Sequence, residues 1–252
     1  MPIEIRQFPC LSDNYGYLVR DRETGLAATV DTPDADAILA ELDKSGWKLA
    51  LILNTHWHPD HAGGNEALKA ATGAEIVGPA EVRRIAPLDR EVREGDVVRL
   101  GATEFQVIGV GGHTLGHIAY YSPADGVAFV GDALFALGCG RVFEGDAAMM
   151  WSSLSKLAAL PDETVVYCAH EYTASNARFA LSVDDDPALA ARAQAVFAAR
   201  ERGEPTVPTT IGAERATNPF LRAPRLAGKL GVSGVPDHEA FAAVRAAKDS
   251  FR

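Results

Sequence analysis

Short apolar runs rich in β-branched residues alternate with helically spaced segments over the first two-thirds of the chain. Such runs, bounded by turn residues, predict strands. The predicted strands are residues 17–20, 27–30, 49–53, 75–77, 105–110, 127–130 and 165–168. Helical spacing predicts helices at 35–45, 65–72 and 151–160, the last closed by Pro161. Because helices separate the strands, this region is predicted to have an α/β fold.

The pattern changes after about Tyr172, where the strand-like runs largely disappear. Residues 187–202 form one Ala- and Arg-rich helical segment with Pro187 in its first turn, and residues 237–251 predict a final helix. The stretch 203–218 is rich in Gly, Pro and Thr and predicts a loop. We therefore expect a larger α/β domain over residues 1–172 and a smaller, mainly helical C-terminal domain over 173–252.

Composition narrows the class of protein. The chain has 252 residues, 47% of them hydrophobic, which can supply a globular core. Its 24 basic and 34 acidic residues give a formal net charge of −10, which argues against nucleic-acid partners and against an anionic membrane. An anionic substrate would therefore need a local basic cluster.

Cysteine use and the N-terminal pattern bear on location. Cys10, Cys139 and Cys168 are widely spaced and form no CxxC motif, so they favour a reducing cytoplasm over a disulfide framework or a thiolate zinc site. The first residues contain no apolar signal core, and no window approaches the roughly 18 apolar residues of a membrane span. We expect a cytoplasmic protein with no membrane anchor.

The densest chemical feature is the segment 55–61, Thr-His-Trp-His-Pro-Asp-His, directly after the predicted strand 49–53. It contains His56, His58, Asp60 and His61, although the whole chain has only seven His. In α/β proteins, functional side chains concentrate in the loops that follow strands, because the sheet fixes their position. The segment therefore predicts a metal site.

Three further candidate ligands follow apolar runs: His113, Asp132 and His170. With the opening cluster they make seven nitrogen or oxygen donors, which exceeds the needs of one tetrahedral ion and suits two ions that share a bridge. Imidazole and carboxylate without thiolate suit Zn²⁺, Fe or Mn²⁺.

Simpler interpretations of these His and Asp residues compete with a binuclear site. A structural zinc site usually takes four ligands rich in Cys, unlike this set. His117 could be a further ligand, but a packing role beside the site is favoured because seven donors already suffice. We expect Trp57 to pack beside the site and His238 to lie on the surface.

The HxHxDH pattern of residues 56–61, followed by His113, Asp132 and His170 in that order, resembles the metallo-β-lactamase superfamily. The resemblance implies an αββα sandwich but leaves several activities open, since a fold does not fix a function. Five other segments resemble those of the glyoxalase II (hydroxyacylglutathione hydrolase) family: 13–17, 131–135, 138–141, 170–173 and 218–222.

That resemblance implies roles for individual residues. Metal 1 would be held by His56, His58 and His113, and metal 2 by Asp60, His61 and His170, with Asp132 bridging. Zn²⁺ is the expected metal, with Fe or Mn as alternatives. Glutathione would be bound by Arg141, Tyr172, Arg245 and Lys248, and by Phe143, where the family has Tyr and hence a hydroxyl that is missing here.

The implied reaction is hydrolysis of S-(2-hydroxyacyl)glutathione, such as S-D-lactoylglutathione, to glutathione and a 2-hydroxy acid such as D-lactate, a step of methylglyoxal detoxification. Two metal ions can lower the pKa of a shared water towards about 7. Asp60 and Asp132 would orient the resulting hydroxide as catalytic residues. The leaving thiol has a pKa of about 8.5 and needs no strong general acid.

Two other functions remain open at this point. An iron-dependent glutathione persulfide dioxygenase of the same fold would need one iron and would consume oxygen. A non-catalytic metal-binding module would keep the ligands without turnover. We expect a monomer that acts on a small-molecule glutathione thioester.

Overall fold

The computed structural model describes residues 3–251, which fall into two compact units. Unit 1 comprises residues 3–109 and 116–131, and unit 2 comprises residues 110–115 and 132–251. Strands and helices alternate in both, so the α/β prediction is confirmed.

The first sheet of unit 1 begins as an antiparallel meander and continues as a parallel sheet. Its strands, in spatial as well as chain order, are β1 (Ile3–Cys10), β2 (Asn14–Asp21), β3 (Leu26–Val30), β4 (Lys48–Leu53), β5 (Glu75–Gly78) and β6 (Arg90–Glu91). The pairs β1–β2 and β2–β3 are antiparallel, and the pairs from β3 to β6 are parallel. Parallel neighbours need helical crossovers, which supply the loops at the strand ends.

The helices of unit 1 lie in those crossovers. They are α1 (Ala35–Ser45), α2 (Pro59–Ala62) and α3 (Asn65–Thr72), with a 3₁₀ helix at Ala80–Arg84. Ile38 and Leu68, from α1 and α3, share one buried cluster with Leu18 of β2 and Ile52 of β4. This packing fixes the C-terminal end of β4, from which the His-rich segment continues.

Four more strands of unit 1 form antiparallel ladders in the order β10-β9-β8-β7. They are β7 (Val97–Leu100), β8 (Thr103–Gly109), β9 (Ile118–Ser122) and β10 (Val127–Gly131). The ring of Phe129 in β10 lies 5.6 Å from that of Tyr17 in β2. Tyr17 therefore faces the second set of strands, whereas its neighbour Leu18 faces the helices, as the alternation of a strand requires.

Unit 2 is mainly helical. Its strands are β11 (Leu134–Phe135), β12 (Gly138–Cys139), β13 (Val165–Cys168) and β14 (Thr209–Thr210), paired β11 with β12 and β13 with β14. Its helices are α4 (Ala147–Ala158), α5 (Thr173–Val183), α6 (Pro187–Glu201), α7 (Ile211–Thr217), α8 (Ala223–Leu226) and α9 (Asp237–Ser250). Ala177 and Ala180 of α5 pack with Leu189 and Ala193 of α6 in a separate cluster around Leu137.

The predicted loop at 203–218 is wrong in part, because it contains β14 and α7. The helix α7 begins after Thr210, because the Oγ1 of Thr210 accepts a hydrogen bond from the N–H of Ala213, 3.2 Å away. A Thr side chain that accepts from the N–H three residues later is a typical N-cap. The surrounding Gly and Pro residues predicted a loop and obscured this cap in the sequence.

No helix within residues 3–251 combines the length and apolar character needed to cross a bilayer.

Candidate metal centre

The His-rich segment begins where β4 ends, so its first residues are held against the sheet. His56 is fully buried, and its Nε2 lies 3.0 Å from Nδ1 of His58. Pro59 then starts α2, which suits its fixed φ. Two imidazole nitrogens at this separation converge on a point that one cation can occupy.

Asp60 and His61 follow on the short helix α2. Nε2 of His61 lies 3.4 Å from Oδ2 of Asp60. The amide of Asn14, at the start of β2, donates to the same Oδ2 at 3.1 Å. Asn14 thus orients a predicted ligand.

Asp31 is the residue of this cluster that sequence reasoning missed. Its Oδ2 lies 2.9 Å from Nδ1 of His61, and its two oxygens accept from the N–H and the hydroxyl of Thr55, each at 2.7 Å. A carboxylate on Nδ1 fixes the tautomer of a ligating imidazole and leaves Nε2 to coordinate. The available signal was its place directly after the apolar run of β3, like the other ligands.

His117 packs beside these residues, in agreement with the expected packing role. It is 1% exposed, and its ring is stacked on that of His56 at 4.5 Å and 16°. Its Nδ1 lies 3.1 Å from the carbonyl oxygen of Ile118. The ring of Trp57 lies 4.8 Å from that of His58, which agrees with the expected packing role.

Unit 2 holds the other three predicted ligands around one carboxylate. Oδ2 of Asp132 lies 3.4 Å from Nε2 of His113, and Oδ1 lies 3.3 Å from Nε2 of His170. Nδ1 of His113 lies 2.8 Å from the carbonyl oxygen of Arg141, so the protein backbone orients this imidazole. Each oxygen of Asp132 therefore faces a different imidazole, which is the arrangement of a bridging carboxylate.

Both ligand sets fit divalent cations in their chemistry. Their donors are imidazole nitrogens and carboxylate oxygens, which suit Zn²⁺, Fe and Mn²⁺. In unit 1 the donor atoms of Asp31, His56 and His61 all lie within 4.8 Å of one another. The three thiols do not compete: burial is the main cause that raises the pKa of Cys10, Cys139 and Cys168 to about 12.

A cavity of about 590 Å³ lies within unit 2. It is lined by His113, Asp132, Phe135, Cys139, Gly140, Arg141, Phe143, Tyr172, Ser175, Asn176, Arg245, Lys248, Asp249 and Phe251. All five predicted substrate-binding residues are in this lining, with two of the predicted metal ligands. The volume falls in the range of small-molecule sites.

Arg245 is held from three sides. It is 8% exposed, and its guanidinium donates to the carbonyl of Cys139 at 3.2 Å and to Oδ1 of Asp249 at 3.0 Å. It also lies 4.8 Å from the centre of the Phe220 ring. Arg245 therefore does not lie on a solvated helix face: its guanidinium is buried and oriented at the cavity wall.

Lys248, one turn further along α9, is half-buried. Its Nζ lies 3.3 Å from the hydroxyl of Ser175 and 5.4 Å from the centre of the Phe179 ring. Burial, followed by the positive charges of Arg245 and two other arginines, lowers the pKa of Lys248. The cavity therefore carries an excess of positive charge in a protein whose net charge is −10.

Two aromatic rings complete the cavity beside the predicted ligands. The ring of Tyr172 is stacked on that of His170, at 4.7 Å and 2°. The ring of Phe143 lies 5.2 Å from that of His113 and is 62% exposed. Both rings are available to pack against a bound molecule.

Comparison with known proteins gives matches along the whole chain. Residues 23–170 match the model of the metallo-beta-lactamase superfamily, and residues 171–251 match that of the hydroxyacylglutathione hydrolase C-terminus. A hydroxyacylglutathione hydrolase of Maricaulis maris is 59% identical over 98% of both chains. The crystal structure of ETHE1 from Myxococcus xanthus is 29% identical, with a TM-score of 0.68 over 97% of this chain and 98% of that one. The crystal structure of TTHA1623 in a di-iron-bound form is 26% identical, with a TM-score of 0.63 over 86% of this chain and 100% of that one.

Proposed function

The chain belongs to the metallo-beta-lactamase superfamily. From its similarity to a hydroxyacylglutathione hydrolase over nearly its whole length, we propose that it hydrolyses the thioester of an S-(2-hydroxyacyl)glutathione. The products are glutathione and a 2-hydroxy acid, as for S-D-lactoylglutathione and D-lactate. The match of residues 171–251 to the C-terminal region of hydroxyacylglutathione hydrolases favours this reaction over persulfide oxidation. The observation that carries the proposal is the cavity of unit 2, because basic side chains line it together with His113 and Asp132.

The proposed centre takes two divalent metal ions, with Zn²⁺ as the expected metal. Its ligands are His56, His58 and His113 for one ion, Asp60, His61 and His170 for the other, and Asp132 as the bridge. The donor chemistry of both units supports this assignment, as does the di-iron form of a structural relative. When bound, two such ions supply a water-derived nucleophile at neutral pH and polarise the thioester carbonyl.

The chain's own carboxylates orient the attacking water. Asp60 and Asp132 each present oxygens beside predicted ligand imidazoles and can accept a hydrogen bond from that water. Asn14 keeps Oδ2 of Asp60 in place. The leaving thiol has a pKa of about 8.5, so it departs as thiolate and needs no proton donor.

Recognition of glutathione rests on charge. Glutathione has two carboxylates, and Arg141, Arg245 and Lys248 all line the cavity. Planar guanidinium groups pair with carboxylates through two parallel hydrogen bonds, which fixes orientation as well as affinity. Tyr172 and Phe143 offer flat apolar surfaces to the peptide portion, and Phe143 provides no hydroxyl.

We extend the proposal to the organisation of the chain. Residues 1–172 form the catalytic domain and residues 173–252 the substrate-binding domain. The protein acts as a monomer in the cytoplasm. The three cysteines are buried and none is in a disulfide within the described residues, which supports a reducing compartment.

The direct test is release of free thiol from S-D-lactoylglutathione by the purified, Zn²⁺-loaded protein. Steady, metal-dependent turnover is expected. Oxygen uptake with glutathione persulfide, in place of thiol release, would assign the dioxygenase reaction instead. Tightly bound metal with neither activity would indicate a non-catalytic module.

A further inference from the structure

The segment 132–141, here called the ligand loop, connects two parts of the proposed centre within unit 2. It begins at Asp132 and ends at Arg141, whose carbonyl oxygen lies 2.8 Å from Nδ1 of His113. The strands β11 and β12 form a hairpin within it. A shift of this hairpin would therefore move Asp132 and the backbone partner of His113 together.

The hairpin turn has a backbone conformation that requires support. Leu137 lies in the left-handed region with φ of +58°, which is uncommon for a residue other than Gly and is strained. Its side chain is fully buried in the cluster that packs against α5 and α6. Its N–H donates to Oε2 of Glu214, 2.9 Å away on α7.

Glu214 is a charged residue with no exposure, and its partners are arranged around both oxygens. Oε2 accepts from Leu137 and from the amide of Asn218 at 2.9 Å, while Oε1 accepts from the hydroxyl of Thr209 at 2.6 Å and pairs with Arg192. A buried ion pair between a carboxylate and a guanidinium is costly to desolvate and adds little net stability.

Side-chain amides hold the remaining polar groups of the turn. Asn218 donates to the carbonyl oxygens of Phe135 at 3.2 Å and Gly138 at 2.9 Å, and Asn176 donates to that of Ala136 at 3.1 Å. Gly138 is required for this contact, because a Cβ there would overlap the amide of Asn176. The side chains of Glu214, Asn218 and Asn176 thus fix backbone groups of four consecutive residues, 135–138, in the ligand loop.

We propose that Glu214 is a positioning residue of the metal centre, acting through Leu137 and Asn218 to hold Asp132 and His113 in ligating geometry. The inference rests on the proposed function, in which these two residues bind metal. Its motivating observation is that the buried charge of Glu214 supports the loop that carries the bridging carboxylate.

The test compares Glu214→Gln with wild type in the full chain, using Zn²⁺ alone and a competing chelator. Gln has one acceptor oxygen in place of two, so it cannot accept from both Leu137 and Arg192, and the paired contacts that support the turn are broken. Zinc affinity is expected to fall about 10- to 100-fold, the range for loss of a residue that orients a ligand.

The matched control is Asp184→Asn, which removes a buried carboxylate pairing with Arg222 at 2.9 Å in the same unit. It should lower the melting temperature of the metal-free protein about as much as Glu214→Gln while leaving zinc affinity within about twofold of wild type. Equal losses of affinity in both variants, or unchanged affinity in Glu214→Gln, would overturn the proposal.

If Glu214→Gln does not fold, Asn176→Ala decides the matter, because it removes one hydrogen bond to the turn and no charge. We expect a several-fold loss of zinc affinity in this variant, and an unchanged affinity would refute the inference. Zinc binding is measured without substrate, so wild-type protein that binds zinc but does not cleave the thioester would defeat the proposed reaction and not this inference.

Discussion

Lys248 is the residue whose charge the cavity controls most directly. Its Nζ lies 5.4 Å and 5.7 Å from the centres of the Phe179 and Phe251 rings, which remove water from around it. Burial and the neighbouring cations lower its pKa. A bound carboxylate would favour the ammonium form and oppose both effects.

Replacing Lys248 with Met should raise KM for S-D-lactoylglutathione about tenfold and leave kcat within about twofold, because the lost contact is far from the bond that is cleaved. In wild type, KM should increase as pH rises through the lowered pKa of Lys248, because the ammonium group loses its charge. The variant should show no such increase. Steady-state kinetics over a pH series measure both effects.

The matched control for this prediction is Lys229→Met, since Lys229 is a surface residue of the same unit that pairs with Asp185. Its KM should follow the wild-type profile. Parallel pH profiles for wild type and Lys248→Met would contradict the prediction. Rising pH should weaken substrate binding but stabilise the fold. Between the lowered pKa of Lys248 in the native state and its ordinary value, the unfolded chain binds more protons than the native chain, so the free energy of unfolding increases as pH rises.

The predicted site residues form a recognisable local motif, whereas the residue that sequence analysis missed is identified only by a long-range contact. His56 to His61 form a local motif, so their spacing alone indicated metal binding. Asp31 meets His61 from 30 positions away, and a single Asp after a strand has no distinguishing pattern. Its role follows only from the pairing of β3 with β4, which brings the two strand ends together.

At the scale of elements, helix caps account for two differences between the predicted and the observed structure, at α4 and α7. The helix predicted at 151–160 begins at Ala147 as α4, because the N–H of Met149 donates to the side chain of Asp146 at 2.8 Å. β1 was not predicted, since Glu4 and Arg6 interrupt its apolar pattern. As the terminal strand of its sheet, β1 pairs only with β2 and tolerates these charges.

Asp146→Ala should lower the free energy of unfolding by about 1 kcal/mol, the usual effect of losing an N-cap acceptor. The reason is that the N–H of Met149 loses its partner at the start of α4. Urea unfolding monitored by circular dichroism measures the change.

Asp146→Asn serves as the comparison, because its side-chain oxygen still accepts that hydrogen bond. It should stay within about 0.5 kcal/mol of wild type. Equal stability of the Ala and Asn variants would show that the cap contributes nothing.

At the scale of the whole molecule, contacts between residues far apart in the chain could not be predicted from the sequence. The α/β class and the helical tail followed from hydrophobic spacing, and the candidate ligands were selected by their position after predicted strands. The support of Leu137 by Glu214 joins residues 77 positions apart, and Asn218 reaches Phe135 over 83. No spacing rule connects such residues, so the structure was needed to identify their roles.

Metal removal should affect the entire protein. A ligand that binds only the native state, at about 100 times its Kd, adds about 2.7 kcal/mol to the free energy of unfolding. For a chain of this size, chelation should lower Tm by roughly 5–10 °C, and added Zn²⁺ should restore it.

Calorimetry of the chelated and the reloaded protein checks this expectation. Asp132→Asn, which weakens the proposed bridge, should lose most of the zinc-dependent gain. A Tm that is insensitive to both chelator and zinc in wild type would argue against a structurally integrated metal centre.

The pairing of Arg245 with Asp249 has a further consequence for turnover. Because Asp249 sits one helical turn away on α9, the guanidinium has an internal counter-ion whenever the cavity is empty. Under the proposed function, an incoming carboxylate would replace an existing partner, and a departing product would leave no bare charge behind. Exchange of this kind would limit affinity for both substrate and product, which would favour rapid release of glutathione over its retention.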